Sequence, residues 1–362
     1  MGLAVGTGPF HSGKGAPVYG FHADNGTAES AAAGKFTGKI QLKAMCGRPT
    51  QRAGVRRGDK NSTGWFATTP SSLPSFSAVC WYTGKALFEW HGGHVPYGLI
   101  LGANGGTAIE MFLPKPTATA GRPGGQSMPQ QSYCPAYPVT DCHQNVSQYG
   151  MFYETIIGKL GPFTVGALIW DQADADLSCN HTGAHYSCLQ TALVSSWRQG
   201  LGAREFPAVA VQLPGYSKDC ASLVRKFGPN WDFCGGGSLL KMRLAQESGM
   251  RAVGAVGTHG VGGAVSATYD LSCPACPFGS VHNTDKAIVG ARVALQLRKL
   301  WFNDTMVVAE GPRVQSARHD SSAGSKHRLR LQFIGGSGPF VFKPTRNCTG
   351  ACTYNPTCAH KV

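Results

Sequence analysis

Between residues 149 and 301 the chain alternates between helical and strand-like segments. Short apolar runs bounded by turn residues are typical of buried strands, whereas longer segments with apolar residues at a 3.6-residue period are typical of helices. The strand-like runs are 163–170, 207–213 and 262–271, and the helical segments are 149–160, 187–200, 239–248 and 284–301. Helices between successive strands predict an α/β fold with a mainly parallel sheet covered on both faces, a three-layer α/β/α, flavodoxin-like architecture.

A group of polar side chains directly follows the strand-like run 163–170, namely Asp171, Gln172, Asp174 and Asp176. Ligands of open α/β sheets bind beyond the carboxyl ends of the strands. The group therefore indicates either a binding site or a polar loop that closes a core strand. The acids lack the glycine and the final glutamate of a calcium loop, so we predict no metal here.

Two further segments carry candidate chemistry. The turn after the strand-like run 95–101 contains Asn104 and Gly106, and glycine lets backbone N–H groups approach a reacting oxygen closely. His282 precedes the last helix, and an imidazole pKa near neutrality suits a general base, although a surface histidine is the alternative. Asp270, at the end of SATYD, and Asp285, at the start of the last helix, could each orient that imidazole. Asp270 is our candidate, because an acid in the first turn of a helix is often a partner of the helix dipole.

Over residues 20–310 the chain resembles the sialate O-acetylesterases, a branch of the SGNH ester hydrolases, in the order and spacing of several blocks. These blocks are FSAVCWYTGKALFE, VPYGLILGANGGTAIEMFLP, FTVGALIWDQADAD, WRQGLGAREFPAVAVQLP, LAQ, and YDL followed by FGSVHNTDKAIVGARVALQLRKL. The resemblance implies a three-layer SGNH fold and a carboxylic ester hydrolase without a cofactor. The implied reaction is Ser/His nucleophilic removal of O-acetyl groups from sialic acid or another acetylated sugar.

The resemblance also assigns roles residue by residue. It implies that His282 is the base and that Gly106 and Gln172 bind the oxyanion. We assign Asn104 and Asp174 to the substrate. The Asp-x-x-His spacing of many SGNH enzymes would require an acid at Gly279, so the orienting acid is not fixed by the resemblance.

The amino-terminal end departs from the family. In the family a G-Q-S-N-M turn supplies the nucleophilic serine just before the position of the block GFHADNGTAE. At that position this chain reads HSGKGAPVYGF, and no strand is recognisable before this segment. Ser12 is a poor match, and Ser127 lies too late in the chain. The nucleophile is therefore missing from the pattern. Either the amino-terminal segment is absent or replaced, or the protein is a catalytically inactive pseudoesterase that binds glycans.

Cysteines and glycosylation motifs indicate the compartment. The chain has 13 cysteines and six N-x-S/T sequons, at Asn25, Asn61, Asn145, Asn180, Asn303 and Asn347. Dense cysteines in loop-like sequence are typical of disulfides formed in an oxidising compartment. We therefore expect a secreted or lysosomal protein, although no signal peptide is recognisable, which again suggests an incomplete start. No apolar run reaches the ~18 residues that a membrane span needs.

The formal net charge of +14 raises the question of nucleic acid. The basic residues are scattered except in the tail, and no RNP, helix-turn-helix or zinc-finger pattern accompanies them, so we expect a solvated basic surface that favours an anionic sugar. Nucleic-acid binding through the tail is a weaker alternative. We divide the chain into a poorly matched start at 1–20, an esterase-like domain at 21–310 with a loop insertion at 114–145, and a basic, cysteine-rich tail at 311–362 that we expect to begin a small β domain.

Overall fold

The computed structural model describes residues 2–6, 26–45, 64–104, 106–115, 134, 149–177, 183–202, 205–215, 236–255, 261–271, 283–319 and 329–335. Within these residues a seven-stranded sheet has the order β3-β2-β4-β1-β5-β6-β7. Its strands are β1 Gly2–Gly6, β2 Ile40–Ala44, β3 Phe66–Ala67, β4 Tyr97–Leu101, β5 Leu168–Asp171, β6 Ala208–Val211 and β7 Gly263–Ser266. Neighbouring strands are parallel except β2 and β3. The predicted mainly parallel sheet is confirmed.

Helices cover both faces of this sheet. In the described part of the chain they are α1 Gly26–Ala32, α2 Ala78–Trp90, α3 Gly158–Leu160 with the π-helical turn Tyr153–Ile157 before it, α4 Asp174–Leu177, α5 Ala184–Gly200, α6 Gly236–Ala255 and α7 Lys286–Trp301. Helices α2 and α7 pack together on one face, and α5 and α6 pack together on the other. The predicted three layers are therefore present.

The two hydrophobic cores divide the residues of β5 between them. Leu168 and Trp170 join the core under α5 and α6, whereas Ile169 joins the core under α2 and α7. Successive side chains of a strand point to opposite faces, so a strand covered on both sides needs apolar residues at every position. The uninterrupted apolar run before Asp171 reflects this double burial.

The first strand corrects the interpretation that no strand precedes residues 11–21. β1 lies in the middle of the sheet, where Leu3 is in register with Ile100 of β4 and with Leu168 of β5. A short glycine- and alanine-rich sequence carries little strand signal of its own, and hydrogen bonding to a neighbour on each side holds it extended. The connection from β1 leads to β2 on one side of it, and after β4 the chain crosses to β5 on its other side. A point where the direction of the connections reverses is where α/β proteins bind ligands.

After α7 the chain forms an antiparallel pair, β8 Arg313–His319 and β9 Leu329–Ile334. Arg313 joins it to the main body through ion pairs with Glu247 of α6, at 2.9 Å, and with Glu310, at 2.7 Å. Residues 336–362, with the last three cysteines, lie outside the described residues, so the extent of a separate β domain stays a prediction.

Two other expectations bear on the compartment. Cys134, from the predicted insertion, forms a disulfide with Cys188 of α5, 54 residues further along the chain. None of the described helices is both long and apolar enough to span a bilayer.

Candidate active site

The loop after β4 and the loop after β5 are joined by a buried hydrogen bond. The side-chain Nε2 of Gln172, just beyond β5, donates to the backbone oxygen of Thr107, just beyond β4, over 2.9 Å. β4 and β5 are the two neighbours of β1 in the sheet. The hydrogen bond between their loops therefore lies at the carboxyl edge, next to the end of the central strand. The parallel sheet thereby brings together two segments that sequence analysis selected separately.

Gln172 is only 2% exposed, and its whole amide is engaged. Its Nε2 also donates to the carboxylate of Asp176, and its Oε1 accepts from the hydroxyl of Tyr186 over 2.9 Å. A side-chain amide has two hydrogens to donate. Both are directed at protein acceptors here, so direct donation to a substrate oxygen would require one of these bonds to exchange. The oxyanion role of Gln172 stays a prediction.

Asp176, in α4, is fully buried and faces the same loop from below. Its Oδ2 accepts the backbone N–H of Ile109 over 3.1 Å, where a 3-10 turn begins two residues after Thr107. Carboxylates removed from water need such donors, because an uncompensated buried charge is costly.

The LAQ block contributes a third buried group, Gln246 of α6. Its Nε2 donates to the backbone oxygens of Gln172, over 3.2 Å, and Val211, over 3.1 Å, and its Oε1 accepts from the N–H of Leu213 over 3.0 Å. These contacts connect the end of β6 to the loop after β5. A layer of buried hydrogen bonds thus underlies the ends of β4, β5 and β6.

The glycine turn itself is open to solvent. Gly106 is exposed and has a φ of +68°, and a Cβ built on it would meet no atom of the described residues within 4 Å. Asn104 is partly buried, and its backbone oxygen accepts the Thr107 hydroxyl over 2.6 Å. The left-handed φ explains why glycine occupies this position. Gly105 lies outside the described residues.

Acidic and basic groups meet at the end of β5. Burial raises the pKa of Asp171 to about 6. The positive charge of Lys286 lowers this pKa, and the negative charge of Asp174 adds to the increase. Burial also raises the pKa of Asp174 and lowers that of Lys286, the first residue of α7. The rim of the sheet therefore holds a carboxyl group that titrates near pH 6. Among the described residues no group of three His, Cys, Asp or Glu side chains is arranged to hold a metal ion.

Asp270 is engaged by Arg292 of α7. Its two carboxylate oxygens accept from Nη1 and Nη2 of the guanidinium over 2.7 and 2.6 Å. These hydrogen bonds lower the pKa of Asp270. The predicted orientation of His282 by Asp270 stays a prediction, because 272–282 are outside the described residues.

The two residues that follow His282 are buried. Asn283 is 2% exposed and Thr284 is 4% exposed, and their side-chain oxygens have no hydrogen-bond partner among the described residues. Helix α7 starts at Lys286, and Asp285 occupies its N-cap position.

Three side chains of the site were not predicted. Tyr186 comes from the first turn of α5 with no local signal, and Lys286 reads as an ordinary first-turn residue. Gln246 belongs to the block LAQ, but only its contacts show that it connects the end of β6 to the loop after β5. Each is recruited from a helix distant in sequence, and no spacing along the chain announces such a contact.

The mainly parallel sheet between two helical layers, with a glycine turn and a glutamine loop bonded at its carboxyl edge, is the three-layer α/β/α architecture expected from the resemblance. In fold the chain is similar to a carbohydrate acetylesterase from Xanthomonas citri, with a TM-score of 0.60 and 20% identity, over 88% of this chain and 60% of that one. In sequence the chain is similar to sialate O-acetylesterases, and the resemblance predicted from its blocks is confirmed.

The sequence relatives are similar over part of their length. The chain is 28% identical to the sialate O-acetylesterase of Homo sapiens over 243 residues, which are 65% of this chain and 41% of the relative. It is 24% identical to that of Rattus norvegicus over 267 residues, or 65% and 45% of the two chains. The chain thus spans about two fifths of the length of the curated relatives it matches. No family model matches it.

Proposed function

We propose that this chain is a carboxylic ester hydrolase that removes O-acetyl groups from sialic acid or another acetylated sugar. The observation that carries the proposal is the hydrogen bond from Gln172 to Thr107, which joins the glycine turn to the glutamine loop beside the end of β1. The names of the relatives support the same chemistry, since each is a sialate or carbohydrate acetylesterase.

The reaction would proceed through an acetyl-enzyme. A serine hydroxyl attacks the acetyl carbonyl while His282 takes its proton, and the oxyanion that forms accepts the backbone N–H of Gly106. Collapse of this intermediate breaks the ester bond, and the sugar oxygen leaves with the proton from His282. Water, deprotonated by the same imidazole, then releases acetate and restores the serine. No residue of this chain is assigned as the serine.

The missing G-Q-S-N-M turn favours a second candidate, a pseudoesterase that binds acetylated glycans without turnover. A Ser/His hydrolase without its serine loses the nucleophilic route, although its binding and oxyanion groups persist. In either case the substrate class is the same. The net charge of +14 favours an anionic sugar such as a sialic acid.

We also propose a secreted or lysosomal location and N-glycosylation. The disulfide between Cys134 and Cys188 supports an oxidising compartment. Asn303, the sequon residue among the described ones, is exposed, as an acceptor site must be.

Acetate release tests the activity. The chain is incubated with an aryl acetate and with an O-acetylated sialoside, beside His282→Ala and the control His94→Ala, an exposed histidine between α2 and β4 at the opposite edge of the sheet. Turnover lost in His282→Ala and kept in His94→Ala supports the esterase. Saturable binding of the sialoside without turnover supports the pseudoesterase. A protein that neither binds nor hydrolyses these compounds contradicts both.

A further inference from the structure

The buried carboxylate of Asp176 joins the two loops of the site from beneath. It accepts the side-chain N–H of Gln172 and, over 3.1 Å, the backbone N–H of Ile109. One side chain therefore bonds both the loop after β5 and the chain that continues from the glycine turn. Its exposure is 0%, so water does not compete for these two donors.

The second amide hydrogen of Gln172 completes the connection. It is donated to the oxygen of Thr107 over 2.9 Å, and the Thr107 hydroxyl is in turn donated to the oxygen of Asn104 over 2.6 Å. The turn that contains Gly106 is thus tied down at both ends, while Gly106 itself remains exposed.

We propose that Gln172 and Asp176 are positioning residues that hold the backbone N–H of Gly106 in place, and that Gln172 acts through Thr107 rather than by touching the substrate. The inference rests on the proposed function for its catalytic meaning. Its geometry is that of a preorganised donor, in which hydrogen bonds formed before substrate arrives fix the direction of a backbone N–H. This positioning role of Gln172 differs from the direct binding of the oxyanion that the family resemblance implies.

Exchanging the donor and the acceptor of the bond between residues 172 and 176 distinguishes a positioning role from a contribution to stability alone. In Gln172→Glu the side chain loses both donors, so it repels the Thr107 oxygen and the Asp176 carboxylate. In the double variant Gln172→Glu/Asp176→Asn the asparagine donates to the glutamate and still accepts from Ile109, which restores the bond between the two side chains. The contact with the Thr107 oxygen is not restored, because a carboxylate has no hydrogen to donate.

A matched control lies elsewhere in the fold. Gln296 of α7 is 2% exposed, and its amide donates to the oxygens of Val265 and Ala309 over 3.2 and 2.8 Å. Gln296→Glu therefore breaks a comparable pair of buried bonds without touching the glycine turn. Gln172→Met, which removes the amide without adding charge, replaces any Gln172 variant that does not unfold cooperatively.

The readout is backbone hydrogen exchange over residues 104–112, measured by mass spectrometry, which does not depend on turnover. We expect exchange to rise at least about tenfold in Gln172→Glu and to stay raised in the double variant, while Gln296→Glu matches the wild type. Where the wild type hydrolyses an aryl acetate, kcat falls at least about a hundredfold in both Gln172→Glu variants, with KM within about twofold.

Two results overturn the inference: exchange that returns to the wild-type rate in the double variant, or kcat lowered equally by Gln296→Glu. Absence of turnover in the wild type contradicts the esterase and leaves the exchange measurement to decide the positioning role.

Discussion

Asp171, the last residue of β5, lies in parallel register with Gly6, the last residue of β1. A carboxyl group with a pKa of about 6 therefore marks the point where the central strand ends. In the α/β fold this is the position from which a catalytic loop would leave the sheet. The electrostatics of the rim depend on this group, and so does the first prediction.

Asp171 should make the stability of the protein depend on pH between about 4 and 6. Its folded pKa is raised from 3.8, so in this range the folded state keeps a proton that the unfolded state has lost. The contribution is fully present below pH 3.8 and is lost as the pH rises through 6. In urea unfolding, the free energy of unfolding of the wild type should fall by about 1–3 kcal/mol relative to that of Asp171→Asn as the pH rises over this range. The exposed control Glu89→Gln should follow wild type, and parallel curves for wild type and Asp171→Asn would contradict the prediction.

Asp270 should behave in the opposite sense. Its pKa is lowered chiefly by hydrogen bonds from Arg292, so its contribution is present above pH 3.8 and is lost as the pH falls through the folded pKa. The Asp side chain is 48% exposed, which limits the pair to about 1 kcal/mol. We expect Asp270→Asn and Arg292→Gln to cost similar amounts at pH 7, and the double variant to cost little more than either, in a double-mutant cycle. If Asp270 also orients His282, acetate release will fall far more in Asp270→Asn than in Arg292→Gln.

The disulfide between Cys134 and Cys188 should contribute substantially to stability. It closes a loop across a sequence separation of 54 residues, which corresponds to about 3–4 kcal/mol of chain entropy removed from the unfolded state. Cys134→Ser and Cys188→Ser should therefore lower the free energy of unfolding equally, and the double variant should be no worse. Unequal losses would show that the two cysteines do not act as one bond.

Ala173, between Gln172 and α4, should tolerate glycine but not valine. Its φ is 135°, a conformation that L-residues rarely adopt, and its side chain is fully buried. Strain of about 1–3 kcal/mol is released in Ala173→Gly and is offset by the loss of a buried methyl and by the greater freedom of glycine when unfolded. We expect Ala173→Gly to stay within about 1 kcal/mol of wild type and Ala173→Val to lose about 3 kcal/mol or more, by urea unfolding. A valine variant as stable as wild type would show that this backbone conformation carries no strain.

Most strands and helices from 149 to 301 could be predicted because each has a local pattern. The short helix α4 was not predicted, and the predicted strand 262–271 ends at Ser266, so that Asp270 lies in the 3-10 turn Tyr269–Leu271. The apolar run that ends at Asp171 is buried on both faces, and the apolar positions of α7 repeat with the helical period. β1 could not be predicted, since GLAVG has no alternation and becomes a strand only between β4 and β5.

The candidate site divides in the same way. Gly106 and Gln172 stood out because a glycine turn and a polar cluster each follow a strand. The partners of Gln172 could not be recognised in this way, because Tyr186 of α5 and Gln246 of α6 are 14 and 74 residues away from it in the sequence. Asp176 was noted in the polar cluster, yet only its bond to Ile109 shows what it holds.

By itself the sequence determined the three-layer α/β architecture and the two loops that we propose as the site, because hydrophobic period and glycine placement act over a few neighbouring residues. Only the tertiary structure decided that β1 is the central strand and that the Gln172 amide faces the protein interior. Both depend on hydrogen-bond partners supplied by distant segments, and a buried polar group takes the orientation in which all its donors find acceptors.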